Sequence, residues 1–423
     1  MTLQTEILRQ PWNKLVLFRS ILSQPASASR ADGSVGATYW DILLEQAAIR
    51  RLSGNLPVAC LVDELLGLTG VFSQLLANTP WQDVPQNLKE AAIAEINLLQ
   101  QEYLTAQPDW LGAWPGISEP QWLRQWPSCD AGAVDGPLFL EARRHLVELF
   151  LQEDAATFMA ALADVYYRLG IGIPARFTSF RWEGRFVGIP CPDPITLEDL
   201  IGYPQQKETV CQNVEGFLRY NKGNNMLLYG ERGTGKSSLI KAVANAYREQ
   251  GLRLVELGQS RVDTFRELLE QLRLQRRQHF IVFIDDLSFD RNDKDYRAFK
   301  AILEGGAAVI PENVLLFATS NRRHLIQENW QDRQEAAEEV RVGDTVSEKL
   351  SLADRFGVTL VFVSPDQEAY LNIVRGIAKS EGIDLQDEIL CRQALQWAMW
   401  QNTRSGRTAR QFVNHLLGKG GKI

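Results

Sequence analysis

Apolar residues recur three and four positions apart through most of the first 175 positions, with clear stretches over 40–52, 88–104 and 139–169. That spacing lines one face of a helix, so an all-helical module is expected there. Loop-like stretches interrupt it at 25–37 and 105–137. Over 177–189 the period shortens to two around Glu183 and Gly184, which predicts a small hairpin. Pro190, Pro192 and Pro194 then form a stiff connector, where the main domain boundary is placed. Beyond it, short apolar runs at 226–229, 252–257, 280–284, 314–319 and 358–363 alternate with helical stretches. Such alternation predicts a parallel sheet covered on both faces. After Ser364 the helical period returns in three pieces, 366–380, 386–400 and 408–417. Ser364, Pro365 and Gln367 read as N-cap, first-turn proline and capping-box partner. The expected organisation is a helical N-terminal domain over 1–175, a hairpin and connector over 176–193, an α/β domain over 194–364, and a helical lid with a basic tail over 365–423.

A chain of 423 residues, 45% apolar and 23% charged, has room for two or three cores and no need of disorder. Its formal charge of −7 sits mostly at the front, with 14 basic against 20 acidic residues up to position 190 and 31 against 32 thereafter. Broad coating of nucleic acid draws on clustered cations, so the acidic balance argues against it and leaves only a local basic patch open. Cys60, Cys129, Cys191, Cys211 and Cys391 lie far apart with no CxxC pair, and four histidines add no zinc-ligand spacing. They read as buried thiols in a reducing compartment. No apolar run approaches the roughly 18 residues that span a bilayer. The LVLF stretch between Lys14 and Arg19 is too short for a secretory core, which makes the cytoplasm the expected location, with no membrane partner.

The chemistry starts at 225–241, NMLLYGERGTGKSSLIK. An apolar strand runs into glycines and then into a helix, the context a phosphate-binding loop needs. Gly230, Gly233 and Gly235 let backbone N–H groups turn toward an anhydride phosphate at the positive end of the helix. Lys236 supplies a point charge for the β- and γ-phosphates, and the Ser237 hydroxyl stands where it can ligate Mg²⁺. Some fifty residues on, FIVFIDDL places Asp285 and Asp286 at the carboxyl end of a buried strand, where ligands of open α/β sheets bind. Asp285 suits the Mg²⁺ shell, and Asp286 suits orienting or deprotonating an attacking water.

Four later residues carry two readings each. Asn321, in LLFATSNRRHL, reads as a ligand of the γ-phosphate or lytic water, or as a turn-forming Asn. Arg355, in EKLSLADRFG, reads as a guanidinium reaching an adjacent subunit's nucleotide, or as an ordinary salt bridge to Asp354 or another carboxylate. Arg407 and Arg410, three apart on one helix face, bring a cation to the γ-phosphate or decorate a solvated basic helix.

GERGTGKSS, IDDL, ATSN, SLADRFG and SGRTARQF, in that order, resemble the nucleotide-binding core of AAA+ ATPases. More narrowly, DDLSF, ATSNRRHL and EKLSLADRFG resemble a bacterial family of AAA+ ATP-binding proteins, over residues 194–418. The resemblance implies a P-loop αβα sandwich with a helical lid, ATP and Mg²⁺ at subunit interfaces, and a ring-like homo-oligomer. It assigns Gly230, Glu231, Arg232, Gly233, Thr234, Gly235, Lys236, Ser237 and Ser238 to the nucleotide phosphates, with Ser237 and Asp285 on the metal. Asp286 becomes the second acid, Asn321 the polar sensor, Arg355 the arginine finger, and Arg410 the lid sensor with Arg407 as second candidate. ITLEDLIGY resembles the segment lining the adenine pocket, which makes Ile201, Gly202 and Tyr203 contacts of the base. Two departures matter. Asp286 stands where most members have Glu, and GQSRVDTFRELLEQLR lacks the aromatic, apolar and glycine triplet with which threading unfoldases grip polypeptide.

The expected function is therefore an ATP-hydrolysing remodelling enzyme whose helical module recognises a protein client. A slow nucleotide-dependent switch or scaffold is the alternative, kept open by Asp286. A DNA-associated loader ranks third, on Arg261, Arg266, Arg273, Arg276 and Arg277 along one predicted helix, against which the interleaved Asp263, Glu267 and Glu270 argue for a solvated surface. Trp110, Trp114, Trp122 and Trp126 in the second loop read as packing onto the module's own helices or as a binding face.

Overall fold

The computed structural model describes residues 17–18, 47, 50, 52–104, 135–288, 299, 302–303, 310–321 and 355–419. The chain divides into two compact units. One comprises Met1–Phe180, Phe186–Pro192 and Leu274–Gln278, and the other Arg181–Arg185, Asp193–Arg273 and His279–Ile423.

In the first unit the helices Leu56–Gly67, Val71–Asn78, Gln86–Leu104, Pro137–Gln152 and Ala155–Leu169 enclose an apolar core that includes Leu65, Ile96, Leu146, Phe150, Phe158 and Leu162. The helical period over 139–169 is broken into two helices because Asp154 caps the second. Its carboxylate accepts from Ala156 N at 2.8 Å and Thr157 N at 2.9 Å, satisfying donors that a new helix leaves unpaired. Several polar groups inside this unit are paired across its helices. The Tyr166 hydroxyl donates to Leu65 O, and Glu95 accepts from Leu17 N at 3.0 Å.

An ionic cluster lies beside that core. Asp63, with no exposed surface, accepts from Arg50 at 2.6 Å, Arg143 at 3.0 Å and Arg176 at 2.8 Å, and Arg143 also reaches Asp135 at 3.3 Å. Burial pushes the Asp63 carboxyl up, but Arg176, Arg50 and Arg143 together outweigh it and hold the carboxyl below the usual carboxylate range. At Asp135 burial wins, and its carboxyl is raised.

Strands β1 (Ser179–Trp182) and β2 (Phe186–Gly188) form the expected hairpin. The second unit holds five parallel strands, β3 (Met226–Gly230), β4 (Leu252–Leu257), β5 (His279–Ile284), β6 (Val314–Ser320) and β7 (Val358–Phe362), in the order β4-β5-β6-β3-β7. The near-continuous apolar runs of β5 and β6 follow from burial on both faces. One face packs Leu228, Leu252, Ile281 and Phe283 with residues of the helices Pro204–Tyr220 and Lys236–Ala246. Strand β3 lies between β6 and β7, away from β4, its successor in sequence. This is a point where the strand order reverses, and such points open a crevice at the carboxyl ends. At the outer side of β7, Gln206 Nε2 donates to Val361 O at 2.9 Å and the Tyr203 hydroxyl to Val363 O at 2.7 Å, so side chains cover carbonyls of an edge strand. Helices Gln367–Ser380, Asp387–Trp400 and Gly406–Gly418 form the lid around Tyr370, Val374, Ala394 and Phe412.

Three expectations need correction. The lid's first N-cap is Asp366, whose carboxylate accepts from Ala369 N at 2.8 Å, while Ser364 donates its hydroxyl to Glu231 instead. The five arginines do not share one helix. Arg261 sits in a 3₁₀ stretch, the α-helix runs only over Phe265–Arg273, and Arg276 and Arg277 lie beyond it. Within that helix Arg266 pairs with Glu270 at 3.5 Å across one turn, as a solvated face does. The described cysteines are not buried: Cys191 is exposed and Cys60, Cys211 and Cys391 are half-buried, with burial pushing the Cys60 thiol up to about 12. Cys129, the four loop tryptophans and Asp354 fall outside the described residues. Among the described residues no single helix is long and apolar enough to cross a membrane.

Candidate nucleotide site

Register builds the site. Leu228 and Tyr229 of β3 lie level with Thr319 and Ser320 of β6, and Ile284 of β5 with Ala318, so Asp285 and Asp286 emerge beside Thr319 and the phosphate loop. The loop has the shape its glycines permit. Gly230 adopts φ 146°, and a Cβ there would run into Phe362 O of the paired strand. Gly233, at φ 78°, has Ser405 Oγ 2.9 Å from where a Cβ would sit, and its carbonyl accepts from Arg407 N at 3.2 Å.

Side chains close a ring of hydrogen bonds at these strand ends. Lys236 Nζ donates to Gly230 O at 2.8 Å, Glu231 O at 2.7 Å and Asn321 Oδ1 at 3.4 Å. Ser237 Oγ donates to Asp285 Oδ1 at 2.6 Å, which also accepts from Thr319 Oγ1 at 2.6 Å. Thr319 Oγ1 in turn accepts from Asp286 N at 2.9 Å, and Asn321 Nδ2 donates to Asp286 Oδ1. Asp286 takes a left-handed backbone, φ 53°, with Arg232 3.8 Å from its other oxygen. Lys236 is buried at 6% exposure. Burial lowers its pKa, with Asp286 and Asp285 pulling the other way. The second turn of the loop is tied by Thr234 Oγ1, which donates to Glu231 O at 2.9 Å.

A cleft of about 790 Å³ opens over this ring, lined by Lys236, Ser237, Ser238, Asp285, Asp286 and Asn321 on one side. Ile201, Gly202 and Tyr203 line its other end, and Arg407 and Arg410 its lid. Gly202 and Tyr203 both have positive φ, 90° and 53°, and the Tyr203 ring packs against Phe362 in a tilted arrangement, centroids 5.0 Å apart. Lys207 donates to Leu197 O at 3.2 Å and to Leu200 O, tethering the segment that carries these residues. Arg410 Nη1 donates to Glu381 at 2.6 Å. Arg355 is not brought to this cleft. It precedes Val358, which pairs with Met226 at the start of β3, while Gly230 pairs with Phe362 at the other end. At about 3.3 Å per residue, the length of the sheet separates it from the phosphate loop of its own chain.

Ser237 Oγ and Asp285 Oδ1 are hard oxygen donors within hydrogen-bond reach of each other beside a glycine cradle, and these are the residues that would hold a Mg²⁺ ion accompanying a nucleotide. The described residues contain no cluster of three or more His, Cys, Asp and Glu that would hold a metal alone, and none is needed where phosphates complete the shell.

The match that decides the family covers residues 175–420. The chain belongs to the family described as "Protein of unknown function (DUF815)". Its nucleotide domain is of the AAA+ type, a P-loop αβα sandwich with a helical lid and a helical region before it. The DUF815 chain is 28% identical over 153 residues to AAA-ATPase At2g46620 of Arabidopsis thaliana, 34% of this chain and 30% of that protein. It is 41% identical over 54 residues to the replication factor C large subunit of Methanococcus vannielii, 13% of this chain and 11% of that protein. The chain thus spans less than a third of the length of either curated relative. Among solved structures, the RuvB Holliday junction branch migration motor of Thermotoga maritima aligns at 16% identity and a TM-score of 0.32, over 53% of this chain and 72% of that one.

Sequence reasoning did not single out Thr319, Lys207 or Glu381, and it read Ser364 only as a helix cap rather than as a partner of Glu231. Thr319 left one signal, a hydroxyl at a fully buried position of an otherwise apolar strand. The other three act through tertiary contacts 7 to 133 residues away in sequence, which periodicity does not encode.

Proposed function

We propose that the DUF815 chain binds ATP with Mg²⁺ and hydrolyses it. The observation that carries this is the hydrogen-bonded ring through Lys236, Ser237, Asp285, Thr319, Asp286 and Asn321, which joins a phosphate loop to two acids and an amide at adjacent strand ends. Lys236, fixed by two loop carbonyls, places its charge for the β- and γ-phosphates, and the loop N–H groups orient the same phosphates. Asn321 holds Asp286 Oδ1, leaving Oδ2 to orient a water or take its proton. Mg²⁺ held by Ser237 and Asp285 would neutralise charge on the phosphate oxygens. Ile201, Gly202 and Tyr203 form the base end, and Arg407 and Arg410 supply cations from the lid.

Arg355, remote from its own phosphate loop, serves the site of a neighbouring copy in a ring-like homo-oligomer. The helical unit recognises a protein client, and the protein works in the cytoplasm. Turnover per chain should climb as protein concentration rises through the micromolar range, and Arg355→Ala should flatten that rise. Activity independent of concentration in both proteins would refute shared sites.

A slow switch is the second reading, favoured by Asp286 itself. Its arm is one methylene shorter than Glu, and its carboxylate is engaged by Asn321 with Arg232 nearby. Tight ATP binding with low, flat turnover that Asp286→Glu raises would select this reading. The loader reading loses its basic helix, and absence of salt-sensitive DNA binding at low ionic strength would remove it.

A further inference from the structure

Arg407 and Arg410 lie about one turn apart on the helix Gly406–Gly418, and both line the cleft. They are held differently. Arg407 is fixed at the phosphate loop, where its N–H bonds Gly233 O at 3.2 Å and its charge adds to those lowering the Lys236 pKa. Arg410 is held by a carboxylate of the lid: its Nη1 donates to Glu381 Oε1 at 2.6 Å, with both side chains 38% exposed. Glu381 is itself anchored, because it caps the helix Gln367–Ser380 and its N–H donates to Ile377 O at 3.0 Å. Asp199 is a second acid on which Arg410 acts. Its carboxyl is lowered first by the Thr196 N–H and hydroxyl and to a smaller degree by Arg410.

We infer that Glu381 is a positioning residue that competes with the terminal phosphate of a nucleoside triphosphate for Arg410. It thereby sets how strongly the site prefers a triphosphate to a diphosphate, an inference that rests on the ATP reading above. A guanidinium offers its donors in a fixed planar fork, and a carboxylate at 2.6 Å both occupies part of that fork and dictates where it points. A γ-phosphate reaching Arg410 must share the fork with Glu381 or take it over, so part of its attraction is spent on the exchange. A diphosphate ends one phosphate short and requires no exchange. Arg407, with its backbone tied to Gly233 O at the phosphate loop, contributes to both nucleotides alike.

The test uses the full chain with Mg²⁺, comparing the affinities of a non-hydrolysable ATP analogue and of ADP by calorimetry. Glu381→Gln keeps the side chain's shape and removes its charge. It should raise the ratio of analogue to ADP affinity by about two- to five-fold, the range for a half-exposed ion pair, and leave ADP affinity unchanged. In an Arg410→Ala background the same substitution should do nothing to the ratio, which a merely structural role for Glu381 would not predict. A ratio unmoved by Glu381→Gln, or moved equally without Arg410, overturns the inference while leaving ATP binding intact. If the wild-type chain binds neither nucleotide, or Lys236→Ala leaves both affinities unchanged, the underlying reading fails and takes the inference with it.

Discussion

Two groups of charged side chains in this protein are built from similar residues to opposite effect. In the helical unit Asp63 is fully buried and meets three arginines, with Asp135 completing the cluster. In the nucleotide domain Asp285 and Asp286 are exposed at the ends of a strand, bonded mainly to neutral hydroxyl, amide and backbone groups. Removing any member of the first group strands a buried charge, so its effect is read in stability. The second keeps carboxylate oxygens directed at solvent, where a metal or water can take them, so its effect is read in chemistry. Burial, rather than residue type, separates a structural carboxylate from a reactive one.

The largest effect should come from breaking the first group. Asp63→Asn is expected to destabilise the helical unit by about 3–5 kcal/mol, seen as an early transition in thermal unfolding. ATP turnover per folded molecule should stay as in the wild type. Breaking the second group should do the reverse. Lys236→Ala is expected to weaken ATP binding by roughly 100-fold, about 3 kcal/mol, with the unfolding midpoint little changed.

Thr319→Val sharpens the comparison, because Thr319 is buried yet belongs to the reactive group. It leaves Asp286 N without its acceptor and should lower turnover by about tenfold while costing about 1 kcal/mol of stability. Unchanged turnover would assign Thr319 to packing alone.

The smallest and most diagnostic effect is in pH. The folded carboxyl of Asp63 is held below the unfolded value of about 3.9, so its stabilisation is present above that pH and is lost as pH falls through the lower folded value. Asp135 has the opposite sign: its raised folded pKa gives stability at low pH that is lost as pH rises through it. Acid titration of helicity should therefore show a loss below about pH 4 that Asp63→Asn lacks.

Much of the nucleotide domain was legible because its signals are local. The β3 run, the loop glycines and the β5 run ending in Asp285 each occupy fewer than ten adjacent positions, and strands β4 and β6 match their apolar runs to within a residue. The ring's closure was not legible, because Thr319 reaches Asp285 across 34 positions and its role depends on strand order. Caps were misread where two candidates competed. Asp366 displaced Ser364 because the Ser364 hydroxyl already serves Glu231. In the helical unit Asp63 looked like any polar residue on a helix face, and nothing local marked Arg143 and Arg176, 80 and 113 positions away, as its partners.

Phosphate release from Mg·ATP by the purified full chain, measured beside Lys236→Ala under the same conditions, tests the central claim most directly. The ring of side chains predicts steady release by the wild type and none above background by the variant. Equal release by both proteins, or no ATP binding by the wild type, would contradict it.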